Sequence, residues 1–234
     1  MGAAVAVCAR TTSQLAETVA LIQERGGWAL AIPADMADRA SVEGMVGRVE
    51  RAVGPIDLLV NNAGVVGGVG PLARTDPDAW WEVQTINLRG PLYCARAVLP
   101  GMKERGWGRI LNVTSISVKQ PVANLMLSNS LRAAVTGMAR TLATEVAPFG
   151  VTVNNILPGY TRTERVVSLA EAAAVREGIS AAAATARWEA EIPMRRLGEP
   201  REFAALAAFL CSERASYITG TSVPVDGGWI RSLL

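Results

Sequence analysis

The chain has 234 residues, half of them hydrophobic, which is enough for one α/β domain with a sizeable core. Its 23 Lys and Arg against 21 Asp and Glu leave a formal charge of +2 with no long basic run, which argues against a nucleic-acid or anionic-membrane surface. It contains no His and three widely spaced Cys, so His-dependent hydrolysis, a His-ligated metal and a disulfide framework are excluded, and no metal site is expected.

The opening stretch from Met1 to Cys8 is apolar but lacks the basic start and the length of a signal peptide. Ala6 stands where an N-acylation signal needs Ser or Thr, and no segment reaches about 18 uninterrupted apolar residues. A cytoplasmic protein is expected. Ala3 to Ala9 (AAVAVCA) reads as a buried parallel strand, and Thr12 or Ser13 can cap a helix that runs to Arg25 and ends at Gly26-Gly27. Trp28 to Ala34 is a second strand, Ser41 caps a helix to Val53, and Ile56 to Val60 is a third strand entering Asn61-Asn62-Ala63-Gly64. Asp76-Pro77 starts a helical stretch that breaks at Gly90-Pro91 and continues to about Glu104.

Arg109 to Val113 is a β-branched and Leu run ending in the hydroxyl pair Thr114 and Ser115, where a strand's C-terminal edge faces a ligand crevice. After a loop with Pro121, apolar residues at Leu127, Leu131, Val135, Met138 and Leu142 recur at helical spacing. Val151 to Leu157 is a strand running into Pro158-Gly159-Tyr160-Thr161. Residues 161–192 are Ala-rich and weakly periodic, as in an inserted substrate lid. A last helix from Pro200 to Cys211 precedes a strand over Thr219 to Val225. Strand and helix alternate throughout, so a single α/β domain over residues 1–234, with a Rossmann-like doubly wound parallel sheet, is expected.

In order, Asp35, the Asn-Asn-Ala-Gly at 61–64, Asn87, Ser115, Pro158-Gly159, Ile218-Thr219-Gly220 and Asp226-Gly227-Gly228 resemble the short-chain dehydrogenase/reductase family from about Ala3 to Trp229. The chain is most similar to its 3-oxoacyl-carrier-protein reductase-like part. Two departures stand out. The positions where the family carries Tyr-x-x-x-Lys, counted from Ser115, hold Ser128 and Arg132. The family's first strand and Gly-rich turn, a unit of about thirty residues that holds the dinucleotide pyrophosphate, do not precede Ala3. The absent strand belongs mid-sheet, and its unpaired neighbours would cost about 1 to 3 kcal/mol for each unsatisfied group. A mis-assigned start codon or a truncated gene is favoured over a working short form.

The resemblance implies a catalytic set of Asn87, Ser115, Ser128 and Arg132 and cofactor contacts from Arg10, Asp35, Met36, Asn61, Asn62, Ala63, Gly64, Arg132, Pro158, Gly159 and Thr161. Arg10 lies where such folds read the adenosine ribose and tilts the choice toward NADP, with NAD also possible; a solvated surface Arg is the alternative. Asp35 would accept the adenine amino group or cap a helix. The small residues of Asn61-Asn62-Ala63-Gly64 let backbone approach a cofactor, and the amides can cross-link strands; the alternative is an ordinary turn.

Carbonyl reduction needs a proton donor at the carbonyl oxygen. A Tyr lowered by a neighbouring ammonium suits this better than Ser128, which can only donate a hydrogen bond or hold a water. Arg132 keeps the positive charge and can fork onto the nicotinamide ribose, though it cannot shuttle a proton. Tyr160 and Lys119 are candidate replacement acids. The expected activity is NAD(P)(H)-dependent oxidoreduction of a small-molecule carbonyl/alcohol pair, and the alternative is a catalytically impaired dinucleotide-binding or scaffold homologue. The family resemblance also implies a homo-oligomer, dimer or tetramer, with no nucleic-acid or membrane partner.

Overall fold

Small and β-branched runs form strands, and amphipathic runs form the helices between them, within residues 2–233, which the computed structural model describes; Met1 and Leu234 lie outside them. The elements are β1 (Ala4–Ala9), α1 (Thr12–Gln23), β2 (Trp28–Pro33), α2 (Arg39–Val53), β3 (Leu58–Asn61), α3 (Pro77–Gln84), α4 (Gly90–Arg105), β4 (Gly108–Val113), α5 (Met126–Val146), β5 (Val151–Pro158), α6 (Glu164–Glu177), α7 (Ala181–Glu191), α8 (Pro200–Leu210) and β6 (Ser222–Val225). The α/β Rossmann-like fold is as expected, but its sheet is divided. β1 pairs with β2, while β3, β4, β5 and β6 lie side by side in that order, all in parallel. The second edges of β1 and β3 have no strand partner among the described residues.

One core nevertheless spans both sheets. Ile32 of β2, Ile110 of β4 and Val153 of β5 pack with Val42, Met45 and Val46 of α2, Val98 and Met102 of α4, and Ala139 and Ala143 of α5. Ala6 and Cys8 of β1 and Leu59 of β3 join this core only half-buried. Leu111 and Ile156 point to the opposite face, against Leu210 and Cys211 at the end of α8, as the period of two in a strand requires. β4 and β5 are therefore covered on both faces and read as continuous apolar runs. Val60, at the free edge, is 49% exposed.

Local chemistry shifts several boundaries. Thr11, not Thr12 or Ser13, occupies the N-cap of α1. Asp38 caps α2 by accepting from the amides of Ala40 and Ser41, and the Ser41 hydroxyl instead accepts from the amide of Asp35. A carboxylate reaches two orphan donors at once, so it displaces the expected serine. Asp76 does cap α3, accepting from the amide of Asp78. The break before α4 is a π-helical turn over Thr85–Arg89, with Pro91 accommodated in the first turn that follows. Residues 161–192 carry two helices, α6 and α7, because Ala-rich sequence has high helix propensity even without a strong apolar period. No helix among the described residues is long and apolar enough to cross a membrane.

Candidate active site

The parallel strands β3, β4 and β5 bring their C-terminal ends to one edge, and an amide ladder sets their relative heights there. Asn61, Asn112, Asn155 and Ser222 are in register across β3 to β6. Asn61 Nδ2 donates to Asn112 Oδ1 at 2.9 Å, Asn112 Nδ2 to Asn155 Oδ1 at 3.2 Å, and Asn155 Nδ2 to Ser222 Oγ at 3.0 Å. Each buried amide thus meets a partner, which offsets its desolvation. The ladder fixes the ends of β3 and β4, beyond which Gly64 and Ser115 lie.

Past the end of β4, Ser115 Oγ accepts from the amide of Ser117 at 3.1 Å, capping a 3₁₀ turn over Ile116–Val118. That bond uses a lone pair and leaves the hydroxyl proton to donate outward. Arg132, on α5, reaches back so that Nη1 donates to the Val113 carbonyl at 2.6 Å. An ideal Cβ built on Gly64 would lie 2.6 Å from Arg132 Nη2 and 3.1 Å from Asn87 Oδ1. Only the absent side chain at 64 leaves room for the guanidinium. Asn87, 2% exposed, sits in the π-helical turn. Its Oδ1 accepts from the Val65 amide at 2.8 Å and its Nδ2 donates to the Val65 carbonyl at 2.7 Å. These two bonds pin the loop that follows β3.

Ser128 lies one helical turn before Arg132, half-buried, and its hydroxyl makes no hydrogen bond among the described residues. Asn87, Gly64, Val113, Ser115 and Arg132 are thus gathered at the ends of β3 and β4. At the end of β5, the Gly159 amide donates to the Val225 carbonyl at 3.0 Å, and Thr161, following Pro158-Gly159 and Tyr160, bridges to Gly198. Asn62 and Ala63 are exposed beside Gly64.

Arg10 and Asp35 belong to the separate β1–β2 pair. Arg10 is exposed just past β1. One Asp35 oxygen accepts from the Ala37 amide at 2.9 Å, an Asx-type turn rather than a helix cap. Met36 packs instead on α4, with its sulfur 3.9 Å from that of Cys94 and its carbonyl close against Gly90.

Tyr160 stacks on Trp188, with ring centroids 5.3 Å apart, and meets Trp229 edge-on at 6.2 Å. Burial, and then the charge of Glu191, push its pKa up, which makes it a weaker acid than a free phenol. Lys119 is exposed at the end of the 3₁₀ turn. Burial, and then the like charge of Arg165, push the Arg132 guanidinium down to about 10, so it stays protonated at neutral pH. Burial pushes the Cys8 and Cys94 thiols up to about 11, leaving them inert.

Asn112 and Asn155 were not singled out from the sequence, and a polar amide inside the apolar runs ILNV and VNNIL is the signal that marks them.

A family model described as Enoyl-(Acyl carrier protein) reductase matches residues 1–230. Among curated relatives, Nodulation protein G of Azospirillum brasilense is 38% identical over 194 residues, 83% of this chain and 74% of that protein. Acetoacetyl-CoA reductase of Rhizobium meliloti is 36% identical over 190 residues, 81% of this chain and 74% of that protein. The structure is similar to that of an actinorhodin polyketide ketoreductase solved with NADPH, with a TM-score of 0.93 at 33% identity, covering 97% of this chain and 87% of that one. It also resembles an NAD+-bound xylitol dehydrogenase, with a TM-score of 0.90 at 29% identity, covering 96% of this chain and 88% of that one.

Proposed function

This chain belongs to the short-chain dehydrogenase/reductase family of NAD(P)-dependent oxidoreductases, and from that premise we propose that it interconverts a carbonyl and an alcohol of 3-oxoacyl type, using NADP(H) with NAD(H) as the alternative. The observation that carries this reading is the gathering of Ser115, Arg132, Asn87 and Gly64 at one strand edge, with Arg132 admitted by the bare Cα of Gly64. The acetoacetyl-CoA reductase and the polyketide ketoreductase support the substrate class by their names.

The nicotinamide half of the cofactor fits the residues present. Thr114 Oγ1, between Val113 and Ser115 in sequence, is buried with no partner among the described residues, and the Ser115 hydroxyl proton and the Arg132 guanidinium, held on the Val113 carbonyl, remain as donors nearby. The bound dinucleotide supplies the hydride. Arg132 would hold the ribose hydroxyls, oriented by its bond to the Val113 carbonyl. Ser115 would donate to the substrate oxygen, stabilising the negative charge that builds there. Ser128 would hold a water or donate directly, a weak replacement for an acidic phenol. Asn87 acts by position, keeping the loop after β3 in place. The helices α6 and α7 would close over the site and exclude water.

Arg10 and Asp35 would face the adenosine end, where the cation favours a 2′-phosphate. β1, β2, β3 and β6 each have a free edge among the described residues, and the core that β1 and β3 share supports the reading that a further strand belongs between those two. A homo-oligomer is supported by a groove of about 810 Å³ between α4 and α5, lined by Leu92, Leu99, Pro100, Met138 and Leu142.

Following NADPH absorbance with a panel of 3-oxo compounds tests the activity. Turnover by the chain, lost in Ser115→Ala, is the expected result; NADPH binding without turnover of any carbonyl would favour the impaired dinucleotide-binding homologue instead.

A further inference from the structure

We propose that a surface cavity between α2 and β2, which shares no residue with the crevice, binds a small amphiphilic anion: a carboxylate or phosphate head held by Arg48 and Arg51, with a short apolar body on Leu30 and Ile32. The cavity has a volume of about 300 Å³ and is lined by Leu30, Ile32, Arg48, Arg51 and Ala52. That size suits a small ligand. Its floor belongs to a strand that pairs only with β1, so the other edge of β2 is open among the described residues. Leu30 and Ile32 are two residues apart and face α2 together, in the core that also holds Val42, Met45 and Val49.

The wall is the C-terminal half of α2. Arg48, Arg51 and Ala52 stand at helical spacings of three and four, so they share one face. Arg51 folds back along the helix: an ideal Cβ built on Gly47 would lie 3.2 Å from its Nη1. The bare Cα at 47 leaves room for that guanidinium on the turn that carries Arg48. Ion pairing along the helix is uneven. Arg39 pairs with Glu43 at 2.7 Å, whereas Arg48 and Arg51 make no hydrogen bond or ion pair among the described residues. The Glu50 carboxylate, between them in sequence, is neither their partner nor part of the lining. Two cations one turn apart on the same face repel. Arg51, in the last turn, is compensated by the helix dipole, and Arg48 is further from that end. An oxyanion between them removes the repulsion, because guanidinium groups present paired N–H donors in the geometry of a carboxylate or phosphate. The floor of Leu30 and Ile32 adds a gain that only a hydrocarbon body can realise. A ligand seated on both α2 and β2 would also brace the two-stranded sheet, which no ladder ties to the other four strands.

Calorimetric titration with hexyl phosphate, hexanoate, inorganic phosphate and 1-hexanol tests the site without cofactor or turnover. Hexyl phosphate and hexanoate are expected to bind the wild-type chain about tenfold or more tighter than 1-hexanol, through charge-assisted bonds. Hexyl phosphate should also bind about tenfold tighter than inorganic phosphate, through its buried chain. Replacing both arginines, Arg48→Gln with Arg51→Gln, should abolish the preference for anions, and Arg48→Lys with Arg51→Lys should keep part of it. Both positions are exposed, so the far-ultraviolet circular dichroism of these variants should match the wild type. Hexyl phosphate should raise the Tm of the wild type and leave that of the double Gln variant unchanged. The crevice variant Arg132→Ala should bind hexyl phosphate as the wild type does. Absence of hexyl phosphate binding, equal binding of hexyl phosphate and 1-hexanol, or unchanged anion binding in the double Gln variant overturns the proposal. Loss of binding in Arg132→Ala with retention in the double Gln variant would place the anion in the crevice and overturn it as well.

Discussion

At the scale of single residues, the proposed chemistry turns on a hydroxymethyl group at 128 and a guanidinium at 132. Arg132 can do what a lysine does by charge, and its anchorage on the Val113 carbonyl fixes where that charge sits. Ser128 cannot do what a phenol does, because an alkyl hydroxyl is far less acidic than tyrosine at about 10. The Ser128→Tyr variant should therefore gain activity: a phenol one turn before Arg132 would have its proton loosened by the neighbouring cation. NADPH-dependent ketone reduction is expected to rise by about a hundredfold, the typical contribution of a positioned acid. No gain at all in a folded variant would mean that proton delivery comes from elsewhere. These positions were singled out through the family resemblance, by counting from Ser115, and the structure places them one turn apart on α5. The need for Gly64 was only half legible: small residues were expected near a cofactor, but the side chain that occupies the space is Arg132, from another element.

At the scale of elements, the strand ends are tied together by side chains as well as by backbone. Asn112 is 2% exposed and is the middle of the Asn61–Asn112–Asn155 chain. Replacing it with Leu in Asn112→Leu strands the Nδ2 of Asn61 and the Oδ1 of Asn155 without partners. Leaving such groups unsatisfied is expected to cost about 1 to 3 kcal/mol for each, read as a lower urea midpoint. An unchanged midpoint would show that the ladder contributes nothing to stability. The sequence allowed Asn61 to cross-link strands, and it does. The ladder's continuation was hidden, because register between distant strands is a tertiary property that periodicity does not encode. The caps of α1 and α2 were misplaced for a related reason: several Ser, Thr and Asp lie close together there, and backbone geometry, not residue type, decides which one sits at the N-cap, Thr11 with no side-chain bond and Asp38 with two. Helices α6 and α7 were read only as a lid, since Ala-rich sequence gives propensity without a strong face.

At the scale of the whole molecule, the alternating elements and the parallel pairing were legible, and the division of the sheet follows from the same order. β1 and β3 share a core with α2 and α4 but not a ladder with each other. In a parallel strand the amides alternate between the two sides, so an edge with no partner leaves about half of them open to water. Hydrogen exchange should thus show β4 and β5, paired on both sides, as the slowest segments, with alternate amides of β1 and β3 exchanging quickly. Uniform protection along β1 and β3 would mean that their free edges are covered in solution. Arg10 and Asp35, proposed for the adenosine end, follow the strands of the two-stranded sheet, so their distance from Arg132 depends on helix packing rather than on strand pairing.

The central claim is that the crevice built around Arg132 holds a nicotinamide cofactor, and titrating the fluorescence of NADPH with the wild-type chain, Arg132→Ala and Gly64→Ala tests it most directly. Saturable binding by the wild type, weakened about tenfold in both variants through the lost charged contact, is the expected result. Wild-type affinity in both variants, or no NADPH binding by the wild-type chain, would contradict it.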